Sequence, residues 1–385
     1  MNKLYNTQED IANTFNKIFK DIYPDCRKTV LNILPYLIFA SIKAESVVAS
    51  DMAKELKGKF SFVQMESVIK RIRRFFKNKL FDPYLFYDML IKHVIKNYKL
   101  KHKDKRVHII FDHMFSKDNY TVFMITMRVG KQGIPLWWRV FKGNDNPEAF
   151  EEDLLKDGIS YVSNLFGKDY DLIFLADRWF NSAALLQHIN HLGHTFCIRF
   201  RKNIKVFMYD KKEKHKIWKF LEDVEPYVYK SRILEDVALY NEQFKVNIVF
   251  SKSMGVKEPW IVVTNGDTKR AIKDYGYRFG GIECVFKNQK SNGFYLENTV
   301  NASLKYFKTQ YMLACIGTLL LTIIGSDYEK NTKCYSDTKI KTHKMVKGKK
   351  IRILSLFNTG LTIFKMAFNS PKYIRLPLRF ILYDS

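Results

Sequence analysis

The segment RVHIIFD at residues 106–112 is a short, mostly apolar run that ends in an acid, Asp112. The segment DLIFLAD at residues 171–177 has the same character and ends in Asp177. Apolar runs of this length, bounded by turn signals, are typical of strands buried in a sheet. The two segments therefore predict two core strands, each leading into a carboxylate.

The segments around these two runs predict an α/β fold. In chain order they read as strand 120–129, strand 134–141, helix 147–161, the 171–176 run, helix 182–192 and strand 195–199, with turns near 117–119 and 130–133. Consecutive strands followed by alternating helices and strands are typical of a sheet with mixed strand directions.

The composition of the chain narrows its class and its partners. Of 385 residues, 46 % are hydrophobic and the formal net charge is +26, which predicts a globular protein that attracts polyanions. Nucleic acid is the favoured partner, ahead of an anionic membrane surface or a merely well-solvated, lysine-rich exterior. Five scattered cysteines without a CxxC pair argue against a zinc ribbon or a disulfide framework, and fit a reducing cytoplasm.

Residues 1–104 predict a helical, basic domain that binds DNA. Its segment at 61–76 interleaves apolar positions with four cations, which is helical amphipathicity with a cationic face: Lys70, Arg71, Arg73 and Arg74. Such a helix can lie on a phosphate backbone or in a groove. The alternative is an ordinary solvated face.

The second half of the chain divides into three parts. Residues 200–268 carry many charges and several short β-like runs, which predicts a β-rich insertion between the core at 105–199 and its continuation at 269–330. A helical pattern returns from about Gly281. The apolar run 312–324 is too short to span a bilayer comfortably and predicts a buried core helix. Residues 331–385 predict a basic, then helical, C-terminal region.

Asp112 and Asp177 have the character of metal ligands. In an open α/β sheet, reactive groups gather at strand ends, and hard carboxylate oxygens suit Mg²⁺ or Mn²⁺. An aspartate at a strand end can equally be a turn or helix-cap residue, so each signal is weak when taken singly.

A third acid, Glu283, lies in the basic and aromatic segment YGYRFGGIECVFKNQK at 275–290. If this segment is helical from Ile282 onward, Glu283, Lys287 and Lys290 share one face. One interpretation is an acid that binds metal beside lysines that hold a nucleic-acid strand. The other is an ordinary i,i+4 pair on the surface.

This segment resembles the Y-R-E-K motif of DDE transposases of the insertion-sequence-four group, with Tyr275, Arg278, Glu283 and Lys290 at its four positions. The spacing departs from the motif by one extra residue between Arg278 and Glu283, and Tyr277 is an alternative tyrosine. The segments IIFD (109–112), FLADRWF (174–180) and PWIVVTN (259–265) resemble the strands that lead into the three catalytic blocks of the family, although Trp179 replaces a small residue. The resemblance covers about residues 105–330.

The resemblance implies a ribonuclease H-like core in which Asp112, Asp177 and Glu283 hold two Mg²⁺ (or Mn²⁺) ions per active site for DNA cleavage and strand transfer. It also implies DNA contacts for a further set of residues, namely Tyr275, Arg278, Lys287, Lys290 and Trp260. Trp260 would stack on a flipped base, and a buried core tryptophan is the alternative.

The implied setting is the bacterial cytoplasm, at the nucleoid and away from membranes. The implied partner is double-stranded DNA, both terminal inverted repeats and target, bound by a homodimer in the synaptic complex. Three rival functions stay open: a DNA-binding relative without catalysis, a metal-dependent nuclease of the same fold without strand transfer, and a membrane-associated protein that uses the run 312–324.

Overall fold

Ten strands form one mixed sheet. In chain order they are β1 (Arg106–Phe115), β2 (Tyr120–Val129), β3 (Gln132–Lys142), β4 (Asp171–Ala176), β5 (Thr195–Arg199), β6 (Lys205–Asp210), β7 (His215–Phe220), β8 (Arg232–Leu239), β9 (Lys245–Ser251) and β10 (Trp260–Thr264). Their order across the sheet is β3-β2-β1-β4-β5-β10-β9-β8-β6-β7. This computed structural model describes residues 8–56, 64–98, 105–116, 120–142, 148–210, 212–224, 231–241, 243–251, 258–299, 303–331, 335, 340–346, 348–369, 376 and 380–383, with side chains described from residue 152 in the helix that begins at 148.

The strand directions are mixed, which confirms the predicted class of sheet. β1 pairs antiparallel with β2 and parallel with β4, and β4 pairs parallel with β5. β2 and β3 are buried along nearly their whole length, so their sequences are apolar at consecutive rather than alternating positions. The predicted turn at 117–119 lies outside the described residues.

Residues 200–268, which were predicted to form a β-rich insertion, contribute strands to the same sheet. β6 to β10 all fall within residues 200–268, and β10 pairs antiparallel with both β5 and β9. The core strands and the insertion therefore share one hydrogen-bonded layer. The start of the run predicted near 227 lies outside the described residues.

Before β1, where the sequence predicted a helical region, the described residues form six helices: α1 (Gln8–Ile22), α2 (Lys28–Leu31), α3 (Leu34–Lys43), α4 (Ala49–Leu56), α5 (Met65–Phe76) and α6 (Pro83–Lys96). The start of α6 follows from its sequence, because the Asp82 carboxylate accepts hydrogen bonds from two backbone N–H groups and Pro83 occupies the first turn. The Tyr87 hydroxyl on α6 donates to the Pro135 carbonyl at 2.7 Å and joins the helices to β3.

From residue 148 onward, the described part of the chain also contains six helices and a hairpin: α7 (Glu148–Phe166), α8 (Ala183–His191), α9 (Thr268–Gly276), α10 (Ile282–Lys287), α11 (Leu304–Lys330), α12 (Leu356–Asn369), and the hairpin of β11 (His343–Val346) with β12 (Lys349–Arg352). Two expectations are corrected. Helical structure returns at Thr268, because the Asp267 side chain caps α9. β12 also occupies the start of the C-terminal segment that was predicted to be helical, beside a hairpin turn in which Gly348 has φ 75°.

Helix α11 crosses the interior. At 27 residues it is longer than the apolar run 312–324, so the expectation that this segment is too short to span a bilayer was wrong. Among the described residues it is the one helix long and apolar enough to cross a membrane, and 94 % of its apolar window is buried inside the protein. The expected core helix is thus confirmed. α12 packs closely on it, because a Cβ at Gly325 would lie 2.0 Å from the Leu356 carbonyl oxygen.

Candidate active site: three carboxylates around one arginine

Asp112 and Asp177 lie side by side on neighbouring parallel strands. The register of β1 and β4 aligns Ile110 with Leu175; two residues later, Asp112 lies within β1 and Asp177 directly follows β4. The two acids therefore lie at the same level on neighbouring strands of the sheet. The Asp112 carboxylate accepts a hydrogen bond from the His113 backbone N–H at 2.9 Å, and the Asp177 carboxylate accepts one from the Trp179 backbone N–H at 2.9 Å.

Glu283 reaches the same region from the first turn of α10. The preceding Gly281 lets this helix approach β1, because a Cβ there would lie 2.1 Å from the Ile110 Cδ1 atom. The extra residue before Glu283 is part of a 3₁₀ turn at Tyr277–Gly280, which joins α9 to α10. Gly280 is the last residue of this turn, and Gly281 lies between it and α10.

The Arg278 guanidinium lies between the three acids. Its Nη2 atom is 2.6 Å from Asp112 Oδ2 and 3.7 Å from Asp177 Oδ2, and its Nη1 atom is 3.2 Å from Glu283 Oε1. Only 8 % of the Arg278 side chain is exposed. Three segments that are distant in sequence therefore converge on one cation.

A buried cluster fixes the segment that carries Arg278. Asp274, on α9, accepts a hydrogen bond from Arg106 Nη2 at 2.9 Å and lies 3.0 Å from His108 Nε2. Both partners belong to β1. Because β1 also carries Asp112, this cluster joins the two halves of the site.

The carboxylates have perturbed acidities. Burial raises the pKa of Asp112, Arg278 opposes the rise, and Asp177 adds to it. Burial likewise raises the pKa of Glu283 against the opposing charge of Arg278. Burial lowers the pKa of Arg278, but the surrounding acids outweigh it and the pKa is raised overall. The site therefore concentrates negative charge around one buried cation.

The oxygen donors suit a hard divalent cation, but the described residues contain no group of three His, Cys, Asp or Glu side chains already arranged to hold one. The Arg278 nitrogens lie where a cation shared by the three acids would lie. The chemistry of the donors fits Mg²⁺ or Mn²⁺. In this arrangement the guanidinium offsets part of their negative charge.

Three of the residues that were predicted to contact DNA are buried or half-buried. Arg278 is buried and paired with acids, and Tyr275 is only 1 % exposed because α9 turns its ring into the interior. The half-buried Trp260 ring stacks on Phe279, with centroids 5.3 Å apart and planes at 18°. Phe279 is 41 % exposed, so it, rather than Trp260, presents a ring to solvent.

The two predicted lysines differ in their surroundings. Lys287 is exposed at the end of α10. Lys290 is half-buried in the π-helical turn Asn288–Asn292 that follows. The sequence indicated that Glu283, Lys287 and Lys290 share one face of an α-helix. In the structure they do not, because α10 ends at Lys287 and Lys290 lies in the π-helical turn. On α5, the four predicted cations Lys70, Arg71, Arg73 and Arg74 are exposed, opposite the buried Val68, Ile72, Phe75 and Phe76.

The sequence interpretation missed a group of cations beside the acids. The register of β4 and β5 aligns Ala176 with Ile198, so Asp177 and Arg199 follow at the same height. A cavity of about 400 Å³ opens there, lined by Arg178, Arg199, Arg201, Lys202, Asn203, Glu222 and Glu258, among others. Charged residues directly after an apolar run, the signal that identified the aspartates, would have indicated this cluster too.

Trp179 is a second missed residue. It is 57 % exposed and borders a cavity of about 350 Å³ that is also lined by Glu152, Ser182 and Arg201. The Arg201 guanidinium carbon lies 5.7 Å from the centre of the Trp179 ring. The residue that departs from the family pattern therefore places a large aromatic ring at the rim of the site.

No family model matches the chain, and no curated protein matches it. Among solved structures, the piggyBac transposase synaptic complex with hairpin DNA matches 94 % of this chain and 78 % of that chain, at 13 % identity and a TM-score of 0.47. Marinitoga piezophila Argonaute in complex with 5′ OH guide RNA matches 55 % of this chain and 31 % of that chain, at 10 % identity and a TM-score of 0.23. Likenesses at these TM-scores carry no conclusion about this chain.

Proposed function

We propose that the protein is a metal-dependent DNA phosphoryl transferase, a DDE-type transposase that cuts DNA at the terminal inverted repeats of a mobile element and joins the ends to a target. One observation carries this proposal. Asp112, Asp177 and Glu283 come from three separate segments, and their carboxylates meet around one buried cation. The sheet order β3-β2-β1-β4-β5, with β1, β4 and β5 parallel, supports a ribonuclease H-like core.

Asp112, Asp177 and Glu283 would hold two Mg²⁺ or Mn²⁺ ions. When bound, such ions activate a water or a 3′-hydroxyl as nucleophile and stabilise the leaving oxygen. The protein's own contribution is positioning and charge, since phosphoryl transfer asks for little covalent help. Across the sheet Asp177 lies between Asp112 and Arg199, and Arg278 offsets part of the negative charge of the acids between reactions.

The cations beside the acids would hold the DNA backbone. Arg178, Arg199, Arg201 and Lys202 line one cavity, and phosphate contacts of this kind set the register of a strand without reading its sequence. The exposed basic face of α5 and Lys287 would add contacts to the duplex. We place the reaction at the bacterial nucleoid, with a homodimer holding two element ends.

A second candidate function is a DNA-binding protein without catalysis. The observation that favours it is Arg278, which pairs with all three acids and offsets part of their charge without a metal. A nuclease of the same fold without strand transfer would use the same acids. Reaction products separate these functions.

The test is cleavage of labelled DNA that carries the sequences flanking this coding region, with Mg²⁺ or Mn²⁺, by the native chain and by Glu283→Gln. The matched control is Asp169→Asn, an exposed acid in the turn before β4, at the opposite end of that strand from Asp177. We expect metal-dependent cleavage and joined products from the native chain and the control, and a loss of about 100-fold or more in Glu283→Gln, or roughly 3 kcal/mol.

Each other outcome has a definite meaning. Binding without cleavage by the native chain would establish the non-catalytic function. Cleavage without joined products would establish the nuclease. Equal cleavage by the native chain and Glu283→Gln would remove Glu283 from the site.

A further inference from the structure

The hairpin of β6 and β7 ends the ten-stranded sheet, with β7 as its last strand. The two strands pair antiparallel from Lys205 opposite Phe220 to Asp210 opposite His215. Alternate side chains of a strand point to opposite sides, so the hairpin has two faces. One of them, here called the hairpin face, consists of Lys205, Phe207, Tyr209, Lys216, Trp218 and Phe220.

Side chains on the opposite face of the hairpin pack into the core and close its turn. Val206 is fully buried, and Asp210 forms an ion pair with Lys219 across the strands. The Asp210 carboxylate also accepts hydrogen bonds from the backbone N–H groups of Lys212 at 2.7 Å and Glu213 at 3.1 Å, which closes the turn. The aromatic residues of the hairpin face are therefore not explained by the core.

The hairpin face presents a strip of rings with a lysine at each end. Tyr209, Trp218 and Phe220 are 54 %, 39 % and 37 % exposed. Phe207 and Trp218 lie directly opposite each other, with ring centroids 5.3 Å apart and planes tilted by 37°. Lys205 pairs across the strands with Phe220, and Lys216 with Tyr209. A strip of aromatic residues thus lies between two cations on an antiparallel surface.

We propose that the hairpin face binds a segment of unpaired DNA, with bases stacked on its rings and phosphates beside Lys205 and Lys216. Every base has a π-face, so a strip of exposed aromatic rings accepts a single strand with little regard to sequence. A duplex keeps its bases stacked on one another and cannot use such rings. Exposed Lys212 and Lys214 at the hairpin turn add positive charge along the same edge.

The charge of the hairpin favours nucleic acid over a second copy of the chain. The edge strand β7 and its turn carry exposed Lys212, Lys214 and Lys216, and lysines on an edge strand oppose pairing with a like strand. The same lysines attract phosphates. The binding site stands apart from Asp112 on the sheet, and its occupancy does not depend on catalysis there.

The test is fluorescence anisotropy of a labelled oligothymidylate of about fifteen nucleotides with the full-length protein, in EDTA so that no cleavage contributes. The variant Phe207→Leu/Trp218→Leu keeps apolar side chains but removes two flat rings, and Trp218→Phe keeps a ring. We expect the leucine variant to bind the single strand about tenfold or more weakly. We expect Trp218→Phe to retain binding, and affinity for a DNA hairpin whose stem consists of adenine–thymine pairs to be unchanged in both.

A charge variant gives an independent measurement. Lys205→Ala/Lys216→Ala should also weaken binding of the single strand, whereas Lys344→Ala/Lys349→Ala on the β11–β12 hairpin removes equal charge and should weaken it less. Unchanged single-strand binding in both hairpin-face variants would overturn the proposal. A change in the sedimentation of the protein with concentration, in place of a change in DNA binding, would instead identify a contact between copies. Because metal is absent, failure here is distinct from failure of the cleavage test.

Discussion

Arg278 Nη2 lies 2.6 Å from Asp112 Oδ2, and both side chains are largely buried. A charge-assisted hydrogen bond at this distance is strong, and it leaves a buried, uncompensated charge when either partner is removed. The same guanidinium also contacts Glu283, which lies five residues later in the chain. Arg278 therefore determines whether the three acids can coexist as carboxylates when no metal is bound.

The first prediction concerns Arg278→Gln. Without the guanidinium, Asp112, Asp177 and Glu283 repel one another, so we expect the free energy of unfolding in EDTA to fall by about 3 kcal/mol. Chemical denaturation measures it. Arg278→Lys retains a positive charge and should lose less. If Arg278→Gln is as stable as the native chain in EDTA, the ion pairs of the site do not form in solution.

The second prediction concerns metal binding. A ligand that binds only the folded state stabilises it by about 2.7 kcal/mol at a concentration 100 times its dissociation constant. We expect Mn²⁺ to raise the Tm of the native chain, and to raise that of Arg278→Gln further, because the ion replaces the missing cation. Asp112→Asn should abolish the rise, while Asp169→Asn should keep it. A rise that persists in Asp112→Asn would place the metal elsewhere.

The third prediction concerns pH and the buried Asp274. Burial raises its pKa, but contacts with His108 and Arg106 outweigh burial and lower it overall from the ordinary value of 3.8. A lowered carboxyl pKa contributes stability above the ordinary value, and this stability is lost as the pH falls through the folded-state pKa. Asp274→Asn should therefore have a lower Tm than the native chain at pH 7, and the gap should close below pH 3.8.

Thermal melts from neutral to acidic pH measure this gap. The matched control is Asp171→Asn, since Asp171 also pairs with Arg106, at 3.4 Å, but is 45 % exposed. A surface pair of this kind contributes little, so its gap should be small at every pH. A gap for Asp274→Asn that stays constant with pH would show that packing, not charge, is what the substitution removes.

The strands that end in Asp112 and Asp177 were predictable because an apolar run followed by an acid is a local signal. Their shared register was an inference from fold class and needed the structure, since pairing between residues 110 and 175 is set by contacts along the whole sheet. Glu283 was proposed as the third acid of the site from the basic and aromatic residues that surround it in the sequence. Its approach to β1 depends on Gly281 fitting against Ile110, which no local pattern contains.

The directions of Tyr275 and Arg278 could not be predicted for a related reason. In the sequence both stand in a polar, aromatic segment and read as exposed DNA contacts. The structure buries both, because Asp274 anchors α9 to β1 and turns the following residues inward. Trp260 was likewise chosen without its partner Phe279, which covers its ring from a different segment. Contacts between residues that are distant in the sequence determine which aromatic side chains are exposed to solvent.

The fourth prediction concerns the basic face of α5. The affinity of a protein for duplex DNA falls as salt rises, and each phosphate contact that is lost makes the slope of log affinity against log salt shallower by about 0.9. Lys70→Ala/Arg74→Ala removes two exposed cations one helical turn apart and should reduce the slope by about 1.8. Lys17→Ala/Lys20→Ala on α1 removes equal charge and serves as the control. An equal reduction in both variants would mean that α5 contributes only net charge.

The fifth prediction uses the neighbouring glycines before α10. A Cβ at Gly281 would lie 2.1 Å from Ile110 Cδ1, whereas the nearest atom to a Cβ at Gly280 lies at 3.8 Å. Ile110 is fully buried, so Gly281→Ala must displace either that side chain or the start of α10. Overpacking of this kind costs about 1–3 kcal/mol, and Gly280→Ala should cost much less.

Metal-dependent cleavage provides a second comparison of Gly281→Ala with Gly280→Ala. Glu283 lies two residues after Gly281, so a displaced α10 moves its carboxylate away from Arg278 and the aspartates. We expect Gly281→Ala to lose metal-dependent cleavage at temperatures where it is still folded, while Gly280→Ala keeps it. If Gly281→Ala is destabilised but cleaves as the native chain does, the Ile110 side chain has moved instead, and the approach of α10 to β1 is not what positions Glu283.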